Sequence, residues 1–254
     1  MIINNDSNIG YGAALNIGAR YAKYNTLVLC NPDIQLTEFT WPDSINKYNL
    51  YFLSGIINKS YTVNRLPNIF DLLVNYGFSR MYGKLVYPLL LFRRLKINDF
   101  NEELKRADWF SGCFIITNKE TYFQLGGFDE RFFLFFEETD LFKRAKMQNI
   151  PLFISNKIMI QTQNGRSSSI DVNKIKKKAE AESMLKFVEK YYKPVTFKLF
   201  SNALYAATIT NIYILQVINC LFHSIKATNK KEYYILFDNI LKSARCGFNE
   251  EKNS

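Results

Sequence analysis

Three carboxylates within four positions, Glu137, Glu138 and Asp140, follow a run of aromatic side chains in the stretch LGGFDERFFLFFEETD, residues 125–140. They stand where a helical pattern begins, with Leu141, Phe142, Ala145 and Met147 on an apolar side and Lys143 and Arg144 on a polar one. Acids in a first turn are stabilised by the helix dipole, and Asp140 can pair with Arg144 four residues on. That accounts for Asp140, but not for Phe132, Phe133, Phe135 and Phe136 crowding the approach to the charges. A carboxylate held against apolar rings is desolvated and gains proton affinity, which suits it to general base work. Taken alone, the stretch fits a reactive site and a solvated helix start equally well.

Upstream, residues 26–33 read TLVLCNPD, a short apolar run stopped by Asn31, Pro32 and Asp33. The pattern predicts a buried strand with a turn at its carboxyl end. Ligands of open α/β sheets bind outside the carboxyl ends of the strands, so Asp33 stands where a phosphate-bound divalent cation could be held. A turn aspartate bonding its own backbone is the alternative. Just before this strand, Gly10 and Gly12 permit a tight turn, and Ala13, Ala14, Leu15, Ile17, Ala19 and Ala22 continue as a helix packed on a sheet. The glycines are not a dinucleotide fingerprint, because Leu15 stands where its third glycine belongs. Asn16 and Arg20, four apart on one helical face, could reach a pyrophosphate or a sugar; a capping Asn16 and a solvated Arg20 are the alternative.

The order of these pieces carries more than any one of them. Asn8-x-Gly10-x-Gly12, then Asn31-Pro-Asp33, then Trp109-x-Ser111-Gly112, then Gly126-Gly127-Phe128-Asp129-Glu130 and Phe133-x-x-Phe136-Glu137-Glu138-x-Asp140, resembles the family 2 glycosyltransferases of GT-A fold, over about residues 2–169. Within that family it looks most like the bacterial rhamnosyltransferases of O-antigen and related surface polysaccharides. The resemblance implies an α/β fold with a mixed, Rossmann-like sheet flanked by helices. It implies that Asn8, Gly10, Gly12, Asn16, Arg20, Asn31 and Asp33 bind the donor, with Asp33 holding a divalent cation, Mg2+ or Mn2+, on its diphosphate. Trp109, Ser111, Gly112, Gly127, Phe128, Asp129, Glu137 and Asp140 would line the sugar and acceptor, and Glu138 would be the base. The implied reaction is direct displacement with inversion, from a nucleotide-sugar to a saccharide or lipid-linked acceptor.

Two departures from the family pattern stand beside the match. The family begins with two further strands and helices that bind the nucleobase, and this chain starts at what would be the third strand, so the resemblance implies an N-terminally truncated core. Thr162 stands where the family has a metal-ligating histidine, and the one histidine of the chain, His223, lies far downstream. A non-catalytic remnant or binding subunit of such an enzyme is therefore the competing expectation.

A chain of 254 residues with 48% hydrophobic content can bury one substantial core. The net charge of +10 suits anionic partners, an anionic membrane surface or a phosphorylated substrate among them. No helix-turn-helix, zinc finger or RNA-binding aromatic signature occurs, so nucleic acid is not expected as a partner. Cys30, Cys113, Cys220 and Cys246 are too dispersed for a paired metal site and read as reduced thiols. With no signal-peptide pattern at the N-terminus, the expected location is the cytoplasm, peripheral on the inner face of the plasma membrane.

Helices are expected around residues 68–76 and 86–95, the latter ending in an apolar and basic PLLLFRRLK that could meet a membrane surface, bind an acceptor or end a buried helix. A composition shift near residues 167–171 ends the first region, 1–169; region 170–254 reads as a helical extension. A charged helix is expected over 173–192, interrupted by Pro194. No charge occurs from Leu199 to Phe222, long enough to cross a bilayer, but Asn202, Thr208, Asn211 and Gln216 lower its hydrophobicity. An amphipathic helix packed on the core or lying on the membrane is the expectation.

Overall fold

The computed structural model describes residues 2–58, 60–63, 65–78, 93–96, 102–162, 170–222, 234–235 and 237–242. These form two compact units, one of residues 1–66 and 91–169, the other of residues 67–90 and 170–254. Residues 67–90, which the sequence pattern places in the first region, thus cluster with the C-terminal helices.

In the first unit, helix α1 (Tyr11–Tyr21) precedes strands β1 (Thr26–Cys30) and β2 (Ile34–Phe39), a 3-10 turn (Asp43–Lys47), β3 (Phe52–Ile57) and β4 (Ser60–Val63). After the second unit's first segment come β5 (Arg93–Lys96), β6 (Leu104–Ala107), β7 (Phe114–Asn118), α3 (Lys119–Gln124), α4 (Glu137–Met147) and β8 (Leu152–Thr162). The strands make one mixed sheet, ordered β1-β7-β3-β4-β5, with β8 pairing β2, β3 and β6. Among the described residues only β3 and β8 run parallel; β1 and β7 are antiparallel, with Cys30 opposite Phe114.

Each face of this sheet has its own core. On one, Ala19 of α1, Tyr122 of α3 and Leu141, Phe142 and Ala145 of α4 pack on Leu27, Leu29, Phe52 and Ile115. On the other, Ile45 of the 3-10 turn meets Leu53, Phe114, Ile116 and Phe153. The expectation of a fully buried β1 is corrected here: Leu27 and Leu29 are buried, while Thr26, Val28 and Cys30 are exposed. Among the described residues β1 pairs only with β7, antiparallel, and alternate side chains of such a strand point to opposite faces, of which only the one against the core is covered here.

The second unit holds α2 (Ile69–Leu73), a π turn (Val74–Phe78), α5 (Ile170–Tyr191) and α6 (Pro194–Phe222). A reciprocal pair of bonds starts α2: Asn68 Oδ1 accepts from the Asp71 N–H at 2.9 Å, and Asp71 Oδ2 accepts from the Asn68 N–H at 3.0 Å. Pro194, expected to interrupt a helix, opens the next one, where its missing N–H costs nothing. Most of the helix expected over 86–95 lies outside the described residues; the part that is described, 93–95, belongs to strand β5. No helix among the described residues is long and apolar enough to cross a membrane.

Two glycines test this packing in opposite directions. A Cβ at Gly55, where β3 shifts register against β8, would lie 2.5 Å from the Ile158 carbonyl oxygen, whereas one at exposed Gly18 in α1 would meet nothing within 4 Å. Gly18→Ala is expected to stabilise the protein by about 0.5–1 kcal/mol. Gly55→Ala is expected to destabilise it by about 2 kcal/mol or more, because backbone must move. Chemical denaturation of both variants checks this, and equal effects would contradict the described β3–β8 register.

Candidate active site

The site is built where the N-terminus of α1, the turn before β7 and the first turn of α4 converge. Gly10 turns the chain into α1 with φ +91°, and a Cβ there would lie 2.5 Å from the Phe133 carbonyl oxygen, to which the Tyr11 N–H donates at 3.0 Å. Asn8 Oδ1 accepts from the Gly10 N–H at 3.1 Å and so shapes the same turn. Gly12 lets α1 sit on Phe128 and Glu137, since its Cβ would come within 2.9 Å of Phe128 Cβ. The Tyr11 hydroxyl donates to the Gly112 carbonyl at 2.9 Å, tying α1 to the Trp109–Cys113 turn. From that turn, Trp109 Nε1 donates to Thr139 Oγ1 at 3.0 Å, on the first turn of α4.

Glu138 packs directly on Gly112, whose Cβ would stand only 3.0 Å from Glu138 Cβ. Both preceding residues, Phe135 and Phe136, have φ +66°, a left-handed conformation that costs a bulky residue about 1–3 kcal/mol. This backbone turns α4 so that two consecutive acids start it. Glu137 is buried and its Oε2 has no hydrogen-bond partner. Burial, and then the charge of Glu138, push the Glu137 carboxyl up to about 8. Burial likewise pushes Glu138 up to about 7, partly offset by hydrogen bonds from the Glu138 and Thr139 N–H groups. The two share one low-dielectric place, and the pair therefore holds a proton into the neutral range.

Asp33 belongs to the same neighbourhood. It is half-buried after β1, and its Oδ2 accepts from the Thr162 hydroxyl at 2.7 Å, at the end of β8. Thr162 is itself fixed by Asn58, whose Oδ1 accepts from the Thr162 N–H at 3.1 Å. Asn31 is held by its N–H to the Cys113 carbonyl at 2.9 Å. The Cys113 thiol is raised first by burial and also by the charges of Asp33 and Glu138, so both carboxylates lie within electrostatic reach of it. Ser111 Oγ accepts from the Cys113 N–H at 3.4 Å, closing the turn.

Several other residues expected to touch ligand already make contacts within the protein. Asn16 is 5% exposed, and its amide is fully used: Nδ2 donates to the Phe128 carbonyl and to Glu130 Oε1, each at 2.9 Å, while Oδ1 accepts from the Tyr122 hydroxyl at 2.6 Å and the Phe128 N–H at 2.9 Å. An amide has two donors and two lone pairs, so nothing is left for a donor sugar. Gly127, at φ +70°, allows this approach; a Cβ there would sit 2.5 Å from Asn16 Oδ1. Phe128 is buried beneath α1, edge-on to Tyr122. Asp140 is 0% exposed and bound to Arg144 at 2.8 Å, the helix pairing its spacing allowed. Asp129 pairs with Arg131 at 2.6 Å, and exposed Arg20 reaches Glu130 at 3.8 Å. Sequence reasoning missed Tyr11 and the active contact of Thr162 with Asp33; the position of Tyr11 between two glycines was the available signal.

A separate cavity of about 540 Å³ lies at the other end of α4, lined by Arg65, Arg106, Asp108, Lys146 and Asn149. Its charges are partly paired, Lys146 lying 3.1 Å from Asp108.

No family model matches the chain. The chain is 26% identical over 152 residues to the low-salt glycan biosynthesis hexosyltransferase Agl10 of Haloferax volcanii, covering 58% of this chain and 47% of that protein. It also resembles the crystal structure of GalNAc-T7 with UDP, GalNAc and Mn2+, at a TM-score of 0.53 and 13% identity, over 77% of this chain and 37% of that one. The fold is of the GT-A type. The chain spans about half the length of the curated relative it matches.

Two outcomes follow from this geometry. Asn16→Ala leaves the Phe128 N–H and the Tyr122 hydroxyl unpaired in the interior and is expected to cost about 2–4 kcal/mol, whereas Arg20→Ala costs under about 1 kcal/mol. Urea denaturation measures both, and a tolerated Asn16→Ala would sink the role given to the amide. Because both acids have raised proton affinity, their contribution to stability is complete below about pH 4.5 and declines as pH rises towards 8. Glu137→Gln is therefore expected to raise the melting temperature at pH 9, relative to wild type, by about 2–4 °C or more, and to gain little at pH 5. Calorimetric scans at the two pH values decide it; a pH-independent difference would show that Glu137 is not held protonated.

Proposed function

We propose that this chain transfers a sugar from a nucleotide-sugar donor to a saccharide or lipid-linked acceptor, as an inverting family 2 enzyme of surface polysaccharide synthesis. Rhamnose is the sugar its motif order favours. The observation that carries the reading is Glu138, packed from the first turn of α4 against Gly112, in a turn whose Cys113 feels the charges of both Glu138 and Asp33. Glu138 takes the proton of the acceptor hydroxyl as that oxygen bonds to the anomeric carbon. The bond from that carbon to the donor diphosphate breaks on the opposite side, and the nucleoside diphosphate leaves. Glu137 and Trp109 would flank the acceptor, and Asn8, Asn31 and Ser111 would border the donor.

Asp33 would hold a divalent cation together with the diphosphate itself. The residues fit a hard cation: carboxylate and hydroxyl oxygens meet there, and Mg2+ commonly binds through one or two carboxylates plus substrate phosphates. When bound, such a cation neutralises charge on the departing diphosphate. Oxygens of the donor diphosphate and water would complete the coordination. The Thr162 hydroxyl already bonded to Asp33 favours a second reading, a chain that binds substrate without transferring it.

Titration calorimetry with UDP and dTDP, with and without Mg2+ or Mn2+, separates these readings. Cation-dependent nucleotide binding that disappears in Asp33→Ala is expected, and Glu138→Gln should keep that binding while transfer falls by about 100-fold or more. Transfer should rise with pH through about 7, because the raised Glu138 carboxyl must lose its proton to act. Binding without transfer in wild type selects the second reading, and binding indifferent to Asp33→Ala refutes the donor site.

A further inference from the structure

Helix α6 buries one side and leaves a second apolar side in solvent. Phe197, Phe200, Leu204, Ala207 and Leu215 are buried, with Thr208 and Asn211 beside them. Asn211 Nδ2 donates to the Gly77 carbonyl of the π turn, within the same compact unit. The opposite side carries Val195 at 71%, Leu199 at 66% and Tyr213 at 67% exposure, with Ile209 and Val217 also exposed. At 3.6 residues per turn these five fall within an arc of about 80°, and they run about 33 Å along the helix. Exposed Ala206 and half-buried Asn202 lie inside the same arc, the asparagine being its one polar side chain between Val195 and Val217. An apolar stripe of this extent on a soluble surface marks a contact.

The charges say what covers it. From Pro194 to Phe222 the helix holds no carboxylate, and its one charged residue is Lys198, exposed at the edge of the stripe. Exposed Lys193 stands at the entrance, and Lys226, Lys230 and Lys231 follow in the sequence. Two copies of this face brought together would set lysines near one another with no acid on the helix to pair them. An anionic bilayer surface complements both features: its acyl boundary takes the apolar side chains and its headgroups take the lysines.

We propose that α6 lies in the plane of an anionic membrane surface, with Val195, Leu199, Ile209, Tyr213 and Val217 as its inserted side. The inference deepens the lipid-linked acceptor in the function proposed above and rests on that part of it, not on the sugar chemistry.

Flotation of the full chain with vesicles tests it, using phosphatidylcholine alone and phosphatidylcholine mixed with phosphatidylglycerol. Wild type is expected to float with the mixed vesicles, less so at high salt, and Leu199→Glu with Tyr213→Glu to lower the partition by about tenfold or more. Lys193→Glu with Lys198→Glu should weaken binding to the mixed vesicles alone. All these positions are exposed, and an unchanged melting temperature verifies folding. In Tyr213→Trp, mixed vesicles should shift the added emission to the blue, giving a readout that needs no disruptive change. If the Leu199 and Tyr213 double variant floats as well as wild type, α6 is not the membrane face although a membrane location survives. Should wild type float with neither vesicle, both the face and the location fail. A wild-type dimer that the double variant splits, without lipid binding, assigns the stripe to a second copy and overturns the proposal.

Discussion

An asparagine amide enclosed in protein must find four partners or pay for each one missing, and Asn16 finds all four in Tyr122 of α3 and in residues 128 and 130 of the loop that follows it. Much of the site hangs on that attachment. It fixes the loop to α1, so that Gly12 can close on Phe128 and the Tyr11 N–H can reach the Phe133 carbonyl. From there the chain passes through two left-handed phenylalanines and enters α4 already oriented. Glu137 and Glu138 are placed by this sequence of contacts together with their own packing against Gly12 and Gly112.

The placement is costly, and the cost is chemically useful. Two adjacent carboxylates in a poorly hydrated place cannot both ionise easily, and the positive end of a helix offsets only part of the burial. The left-handed backbone before them adds strain. Against these terms stand the packing of Phe128, Phe132, Leu141 and Phe142 and the enclosed Asp140–Arg144 pair, which anchor the helix from its other side. The same helix start thus divides its acids: Asp140 stabilises, while the first two retain proton affinity near neutrality.

Asp33 is set by different means. It follows an edge strand with one covered face, and a hydroxyl from the far end of β8 steadies it. This half-buried carboxylate with a hydroxyl beside it differs from the desolvated acids at the start of α4. One place suits a hydrated cation and phosphate; the other suits proton transfer.

Local pattern alone determined a good deal. Glycine followed by an alanine-rich run specified α1, the acids ahead of Leu141 and Phe142 specified the start of α4, the TLVLC run specified β1, and Pro194 marked a boundary between helices, because these signals depend on backbone freedom and on periodicity within one element. The tertiary structure alone decided what the polar side chains do. Tyr11 meets Gly112 from 101 positions away and Asp33 meets Thr162 from 129. Asn16 spends its amide on residues more than 100 positions distant, which turned an expected ligand contact into a support. The one-sided exposure of β1 likewise depended on which face of the sheet other elements cover there. A side chain's type states which bonds it can make; which partner arrives, and whether water is excluded when it does, is fixed only when distant segments pack.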